Sequence, residues 1–223
     1  MKLNKMIDHT KLGANVSKEQ IDQLLQEAKT YDFKSVCVNP IWVKYAAQKL
    51  KKTNVLTCTV IGFPHGTHQP NVKIFEAEQA ILDGAEELDM VINVHALKAK
   101  DYHTVEKEIK GIVDIAEGRY VKVILETCYL TDEEIVKACE IAVKAGANFV
   151  KTSTGFGTGG ATVHHVKLMK DTVKDRAEVK ASGGARTYEA AMKMVEAGAT
   201  RIGTSNGVTI VTGGESNDSD SSY

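Results

Sequence analysis

Short apolar runs of strand length alternate along this chain with longer segments whose apolar residues recur at helical spacing. Residues 6–10, MIDHT, read as a strand. Ser17 and Gln20 then form a capping box that opens a helix with Ile21, Leu24, Leu25 and Ala28 on its apolar face. SVCV at 35–38 reads as a buried strand, and Pro40 starts a helix carrying Trp42, Val43, Ala46, Ala47 and Leu50. The rhythm continues with a strand at 56–63, a helix with Val72, Phe75, Ile81 and Leu82 turned inward, a strand at 88–93, and a helix over 102–117 stopped by Gly118. Residues 121–126 lead to a helix capped by Thr131 and ended by Gly146, and 149–154 lead to a helix over 162–173. Residues 179–184 lead to a helix capped by Thr187 and ended by Gly198, and 201–205 form the last strand.

Eight such units predict an α/β fold, a single (β/α)8 TIM barrel over residues 1–213, with a doubly wound open sheet as the competing arrangement. Polar residues at the C-terminal ends of nearly all the strands favour the barrel, where those ends converge on one mouth. Gly84, Gly146 and Gly198 recur where each helix hands over to the next strand, as a left-handed helix cap requires. Residues 214–223, GESNDSDSSY, offer nothing to a core and read as a flexible acidic tail.

Composition narrows the function class. A 43% hydrophobic content suits a sizeable core, and 28 Lys plus Arg against 29 Asp plus Glu gives no reason to expect a nucleic-acid or anionic-membrane partner. There is no long apolar span and no signal-peptide core near the N-terminus, so a cytoplasmic location is expected. Cys37, Cys58, Cys128 and Cys139 fall in apolar patterns without a Cys-x-x-Cys pair and read as buried free thiols. His65 with His68 and His164 with His165 lie in polar segments without an evident carboxylate partner; no metal is expected.

The chemistry points to three lysines. Val121-Lys122, Val150-Lys151 and Val179-Lys180 each sit in an apolar strand, each 29 residues from the next, about one strand-plus-helix unit. Successive units would set the three amines on neighbouring strands at a similar height. Clustering and burial both disfavour protonation, and a neutral amine attacks carbonyls. The plainer reading is that each lysine snorkels to solvent from a strand end. Other strand-end candidates are Asp8, Thr10, Cys37, Asp89, Asn93, Glu126, Thr204 and Ser205. Asp89 stands out because it is flanked by Leu88, Met90, Val91 and Ile92, where an unpaired carboxylate would be costly; it fits either a salt bridge to Lys122 or a proton relay. Glycine-rich stretches at 155–160, 182–186 and 203–207 free backbone N–H groups of the kind that cradle phosphate, with Arg186 nearby. Thr152, Gly155, Gly183, Gly184, Gly203, Thr204, Ser205 and Asn206 are therefore candidates for substrate or phosphate binding, with Thr10, Cys37 and Arg186.

Nearly the whole chain resembles the deoxyribose-phosphate aldolase family of class I, Schiff-base aldolases. The resemblance runs through IDHT (7–10), SVCVNP (35–40), TVIGFP (59–64), KIFEAEQAI (73–81), LDMVIN (88–93), VKVILET (121–127), VKTSTGFG (150–157), VKASGG (179–184) and RIGTS (201–205). It implies a barrel that reversibly cleaves 2-deoxy-D-ribose 5-phosphate to D-glyceraldehyde 3-phosphate and acetaldehyde, with no cofactor. It also implies Lys151 as the Schiff-base lysine, Lys180 as its assistant, Asp89 as the acid/base carboxylate and Lys122 as a further active-site lysine. Members often end in tyrosine, which implies a catalytic role for Tyr223. The expected partners are small aldehyde and phosphosugar substrates and a second copy in a homodimer. The sequence departs from the family pattern at Gly13-Ala14, His65, His95, Ala185 and Asn206, which leads us to expect a broadened acceptor range. A phosphosugar isomerase or epimerase, and a non-catalytic phosphosugar-binding barrel, are the alternatives on the same fold.

Overall fold

The computed structural model describes residues 2–213 and is a closed barrel of eight parallel strands in sequential order, β1 pairing with β8 to seal it. The strands are β1 Ile7–Lys11, β2 Ser35–Val38, β3 Leu56–Ile61, β4 Glu87–Val91, β5 Tyr120–Ile124, β6 Phe149–Lys151, β7 Glu178–Ser182 and β8 Arg201–Thr204. Around them lie α1 Lys18–Thr30, α2 Val43–Leu50, α3 Pro70–Leu82, α4 Val94–Lys98, α5 Tyr102–Ile115, α6 Asp132–Lys144, α7 Val163–Val173, α8 Tyr188–Glu196 and α9 Gly207–Thr212. The barrel expected from the sequence is present, and the open sheet is excluded. The short α4 and α9 are additions that the periodicity does not reveal. Among the described residues no helix is long and apolar enough to cross a membrane.

Helix boundaries follow local chemistry. The Ser17–Gln20 and Thr131–Glu134 capping boxes both form, and Thr162 and Thr187 cap α7 and α8 through their hydroxyls. Alternate residues of each strand face opposite ways, so Val36, Val123, Val150, Val179 and Ile202 pack outward in the core beneath the helices. The intervening residues fill the barrel with polar and charged side chains.

Helix α3 turns a different face inward from the one its large apolar residues suggest. Val72, Phe75 and Leu82 are 50%, 61% and 78% exposed, Ile81 is partly covered, and Lys73, Ala77 and Ala80 are the buried positions. Small alanines let α3 approach the barrel and α5 closely; a Cβ at Gly111 of α5 would stand 2.5 Å from Ile74 Cδ1. The buried Lys73 donates to Glu108 Oε2 at 2.6 Å and to the Val91 carbonyl at 2.8 Å, and Glu108 Oε1 accepts from the Asn93 N–H at 2.6 Å. That pair fastens the end of β4 to the outer layer.

Register also revises the expected height of the lysines. Lys151 and Lys180 are direct partners across β6 and β7. Lys122 instead pairs with Phe149, while Ile124 pairs with Lys151, so Lys122 sits two residues deeper. The stagger between strands of a tilted barrel produces that offset. It places Lys122 beside its direct partner on β4, Asp89.

Candidate active site

Asp89 is the hub of the barrel interior. Its Oδ2 accepts from Lys151 Nζ at 2.8 Å and from Lys180 Nζ at 2.7 Å, and its Oδ1 accepts from Lys122 Nζ at 2.8 Å and from the Cys58 thiol at 3.2 Å. Lys122 and Lys180 are fully buried, and Lys151 keeps 3% exposure. The three lysines do not snorkel. Burial alone would raise the Asp89 pKa, but Lys122, Lys151 and Lys180 outweigh it and hold the carboxyl well below the usual range.

A second tier of charges supports the first. Lys180 also reaches Asp8 Oδ2 at 2.6 Å, and Lys122 reaches Glu87 Oε2 at 2.6 Å and Asp8 Oδ2 at 3.8 Å. Arg201 donates to Asp8 Oδ1 at 2.7 Å and to both Glu87 oxygens at 2.8 and 3.0 Å, with its guanidinium 5.2 Å from the centre of the Phe149 ring. Ser35 completes Asp8 with a 2.6 Å hydrogen bond. Burial would pull Lys180 down, yet Asp8 and Asp89 push its pKa up; Lys122 is likewise held up against burial by Asp89, Cys58, Glu87 and Asp8. The structure corrects the picture of a cluster of bare cations. Among the described residues, Asp8, Glu87 and Asp89 interleave with Lys122, Lys151, Lys180 and Arg201.

Glu87 and Arg201 join the site without having been expected there. Strand parity could have found Glu87, since it lies two residues before Asp89 on the same face. Arg201, at the start of its strand, has no comparable neighbour in sequence.

The glycine-rich loops after β6, β7 and β8 enclose a cavity of about 250 Å³. Its lining includes Gly155, Gly183, Gly184, Arg186, Thr204, Ser205 and Asn206 from the expected set, together with Ala185. Gly183 and Gly184 adopt φ of 76° and 97°, which a residue with a side chain rarely does, and a Cβ at Gly160 would stand 2.3 Å from the Gly183 carbonyl oxygen. Thr152 and Gly203 lie beneath: the Thr152 hydroxyl donates to the Ser182 carbonyl at 3.2 Å and accepts from its N–H at 3.1 Å, and Gly203 pairs with Ser182 across the sheet. The Thr204 hydroxyl donates to the Ala185 carbonyl at 2.9 Å, tying the last two loops together.

Other candidates have structural partners. The Thr10 hydroxyl donates to the Asp8 carbonyl at 2.9 Å, and Asn93 caps α4. Glu126, left-handed at φ 55°, accepts from the Thr154 N–H and hydroxyl and so braces the loop that follows Lys151; burial raises its pKa. Cys37 is buried beside Cys58, and Cys37, Cys58 and Asp89 bring ligand-type atoms within 4.8 Å of one another. His164 does have a carboxylate neighbour, Asp132 at 2.7 Å, contrary to expectation; that group is mostly exposed. Tyr223 lies outside the described residues.

Comparison with known proteins gives the arrangement a family. Residues 2–212 match the DeoC/LacD family aldolases. The chain is 61% identical over 215 residues to the deoxyribose-phosphate aldolase of Streptococcus sanguinis strain SK36, covering 96% of this chain and 98% of that one. It is 59% identical over 221 residues to the enzyme of that name from Exiguobacterium sp. strain AT1b, covering 99% and 100%. Among solved structures, the tetrameric deoxyribose phosphate aldolase of Aeropyrum pernix superposes with a TM-score of 0.88 at 35% identity, over 94% of this chain and 89% of that one. A lysine-lined barrel interior and a match along nearly its full length lead to one conclusion: this chain belongs to the DeoC/LacD family of aldolases.

Proposed function

We propose that this protein is a deoxyribose-phosphate aldolase that cleaves and forms 2-deoxy-D-ribose 5-phosphate through a Schiff base on Lys151. The observation that carries the assignment is the convergence of Lys122, Lys151 and Lys180 on Asp89. Of these amines Lys151 retains exposure, and its carboxylate partner is Asp89, whereas Lys122 and Lys180 are each held by more than one carboxylate. Lys151 is thus the amine freest to meet a carbonyl.

In the synthetic direction Lys151 Nζ, as the neutral amine, attacks the acetaldehyde carbonyl, and loss of water gives an iminium. Its positive charge stays beside Asp89, which keeps a partner throughout. The iminium draws electrons from the methyl carbon, a proton leaves, and the enamine attacks the acceptor aldehyde. Lys180, Asp89 and Lys122 form a continuous hydrogen-bonded chain along which that proton and those of the carbinolamine steps can move. Asp89, held ionised, orients the three amines and stabilises the positive charge of the iminium. The glycine-lined cavity with Arg186 receives the phosphate of the acceptor through backbone N–H groups and a guanidinium. Ala185 and Asn206 in its wall support a broadened acceptor range.

We further propose a homodimer, supported by the outward Val72, Phe75 and Leu82 of α3, which suit burial against a second copy. Four free cysteines support cytoplasmic residence.

The test is incubation with acetaldehyde and borohydride. An aldolase of this kind gains a stable two-carbon mass and liberates acetaldehyde from 2-deoxy-D-ribose 5-phosphate. An isomerase, epimerase or binding barrel liberates no acetaldehyde, and the reagent marks only its exposed lysines.

A further inference from the structure

We infer that Cys37 and Cys58 are an oxidisable thiol pair that closes into a disulfide beside Asp89 when the protein meets a peroxide. Cys37 on β2 and Cys58 on β3 are direct partners in the parallel register. Neighbouring strands lie about 4.8 Å apart, which falls inside the roughly 4.4–6.8 Å Cα separation of disulfides. Both side chains face the barrel interior, where their sulfurs and an Asp89 oxygen lie within 4.8 Å of one another. The pair sits against Leu12 and Val60 with Phe63 packed on it.

Their environments divide the labour. The Cys58 side chain alongside pushes the Cys37 thiol pKa down, helped by Lys180 and Lys151 and opposed by burial and Asp89. Burial first, then Cys37 and Asp89, push Cys58 well up. Cys37 is therefore the sulfur that reacts and Cys58 the one that resolves. The Cys37 thiolate attacks one peroxide oxygen; a sulfur–oxygen bond forms, the oxygen–oxygen bond breaks, and hydroxide leaves. Cys58 then attacks the sulfenic sulfur, a sulfur–sulfur bond forms, and the hydroxyl departs with the Cys58 proton as water. Two thiols are oxidised and one peroxide is reduced.

The bond has a consequence for the site. Cys58 donates to Asp89 Oδ1 at 3.2 Å and lies 3.3 Å from Lys122 Nζ, and once tied to Cys37 it has no proton to donate. Asp89 Oδ1 then loses this donor and keeps Lys122, so turnover by the aldolase chemistry proposed above falls, and reduction restores it.

The full chain is treated with hydrogen peroxide, quenched, unfolded, alkylated and mapped by mass spectrometry, with cleavage of 2-deoxy-D-ribose 5-phosphate followed in parallel. The expected result is a cross-linked peptide pair containing Cys37 and Cys58, lighter by two hydrogens, with Cys128 and Cys139 still alkylated. Activity is lost with the same time course and regained in dithiothreitol. In Cys58→Ala the cross-link is absent and Cys37 goes on to sulfinic acid. Full alkylation of Cys37 and Cys58 after peroxide, or sulfinic acid on Cys37 in the unsubstituted protein, overturns the pair. A cross-link that leaves turnover unchanged overturns its effect on the site. The turnover arm rests on the aldolase reading; the mass arm does not, so a protein that cross-links but never cleaves the sugar phosphate refutes that reading alone.

Discussion

Asp89→Asn keeps the shape of the hub and removes its charge. The substituted amide would still offer one oxygen and an N–H pair, but Lys122, Lys151 and Lys180 would lose the carboxylate they share. Removing one member of a buried ionic set costs about 3–5 kcal/mol. A domain of this kind has about 5–15 kcal/mol in total, so the variant should fold at 25 °C with a sharply lower urea midpoint. The pH dependence identifies the cause. Asp89 is held well below its unfolded value, so its contribution is fully present above the unfolded carboxylate pKa and is lost as pH falls through the folded one. The gap in stability between the two proteins should therefore be constant above about pH 5 and narrow below about pH 4, around and under the unfolded pKa. The proton step suffers too, by roughly a hundred- to ten-thousandfold in kcat, the usual reach of general acid–base catalysis. The assay is urea unfolding from pH 7 down to pH 3, with turnover at pH 7. A loss under about 1 kcal/mol at pH 7, less than any buried ionic set should show, or a gap that does not narrow in acid, would refute Asp89 as the electrostatic hub.

Three further outcomes follow from the same contacts. In Lys180→Leu the cation that shares Asp89 Oδ2 with Lys151 is gone, so borohydride-trapped adduct formation at neutral pH should slow by at least about tenfold, and an unchanged rate would show that Lys180 does not tune the nucleophile. An Ala185→Ile, Asn206→Ser double variant, altering the wall of the phosphate cavity, should raise the kcat/KM ratio of D-glyceraldehyde 3-phosphate over D-glyceraldehyde by roughly 10- to 150-fold, the span of one contact to a charged group. An unchanged ratio would leave the phosphate to the backbone alone. Phe75→Glu on the outer face of α3 should halve the mass seen by light scattering without changing the far-ultraviolet dichroism, and an unchanged mass would place the dimer contact elsewhere.

The barrel is legible in the sequence because strand and helix periods differ and the caps are local. Ser17 with Gln20 and Thr131 with Glu134 mark helix starts within four residues of sequence. Lys151 and Asp89 are legible for a related reason: each is a charge set among apolar neighbours in a strand. The face of α3 is not, because residue size misleads when the close-packed side is built from alanine. There Lys73 is buried through Glu108, 35 positions away, and no spacing rule links the two. The depth of Lys122 is hidden too, since a 29-residue period gives the strand but not the stagger between strands. The ions around the hub come from β1, β4, β5, β6, β7 and β8, and only closure of the barrel brings Arg201 to Asp8, 193 residues away.

The most direct test of the Schiff-base assignment is which lysine carries the adduct. After reduction with borohydride in the presence of acetaldehyde, the protein is digested and the two-carbon mass is placed by fragmentation. It should lie on Lys151, with Lys122 and Lys180 unmodified. Label on Lys122 or Lys180 with Lys151 free would contradict the assignment.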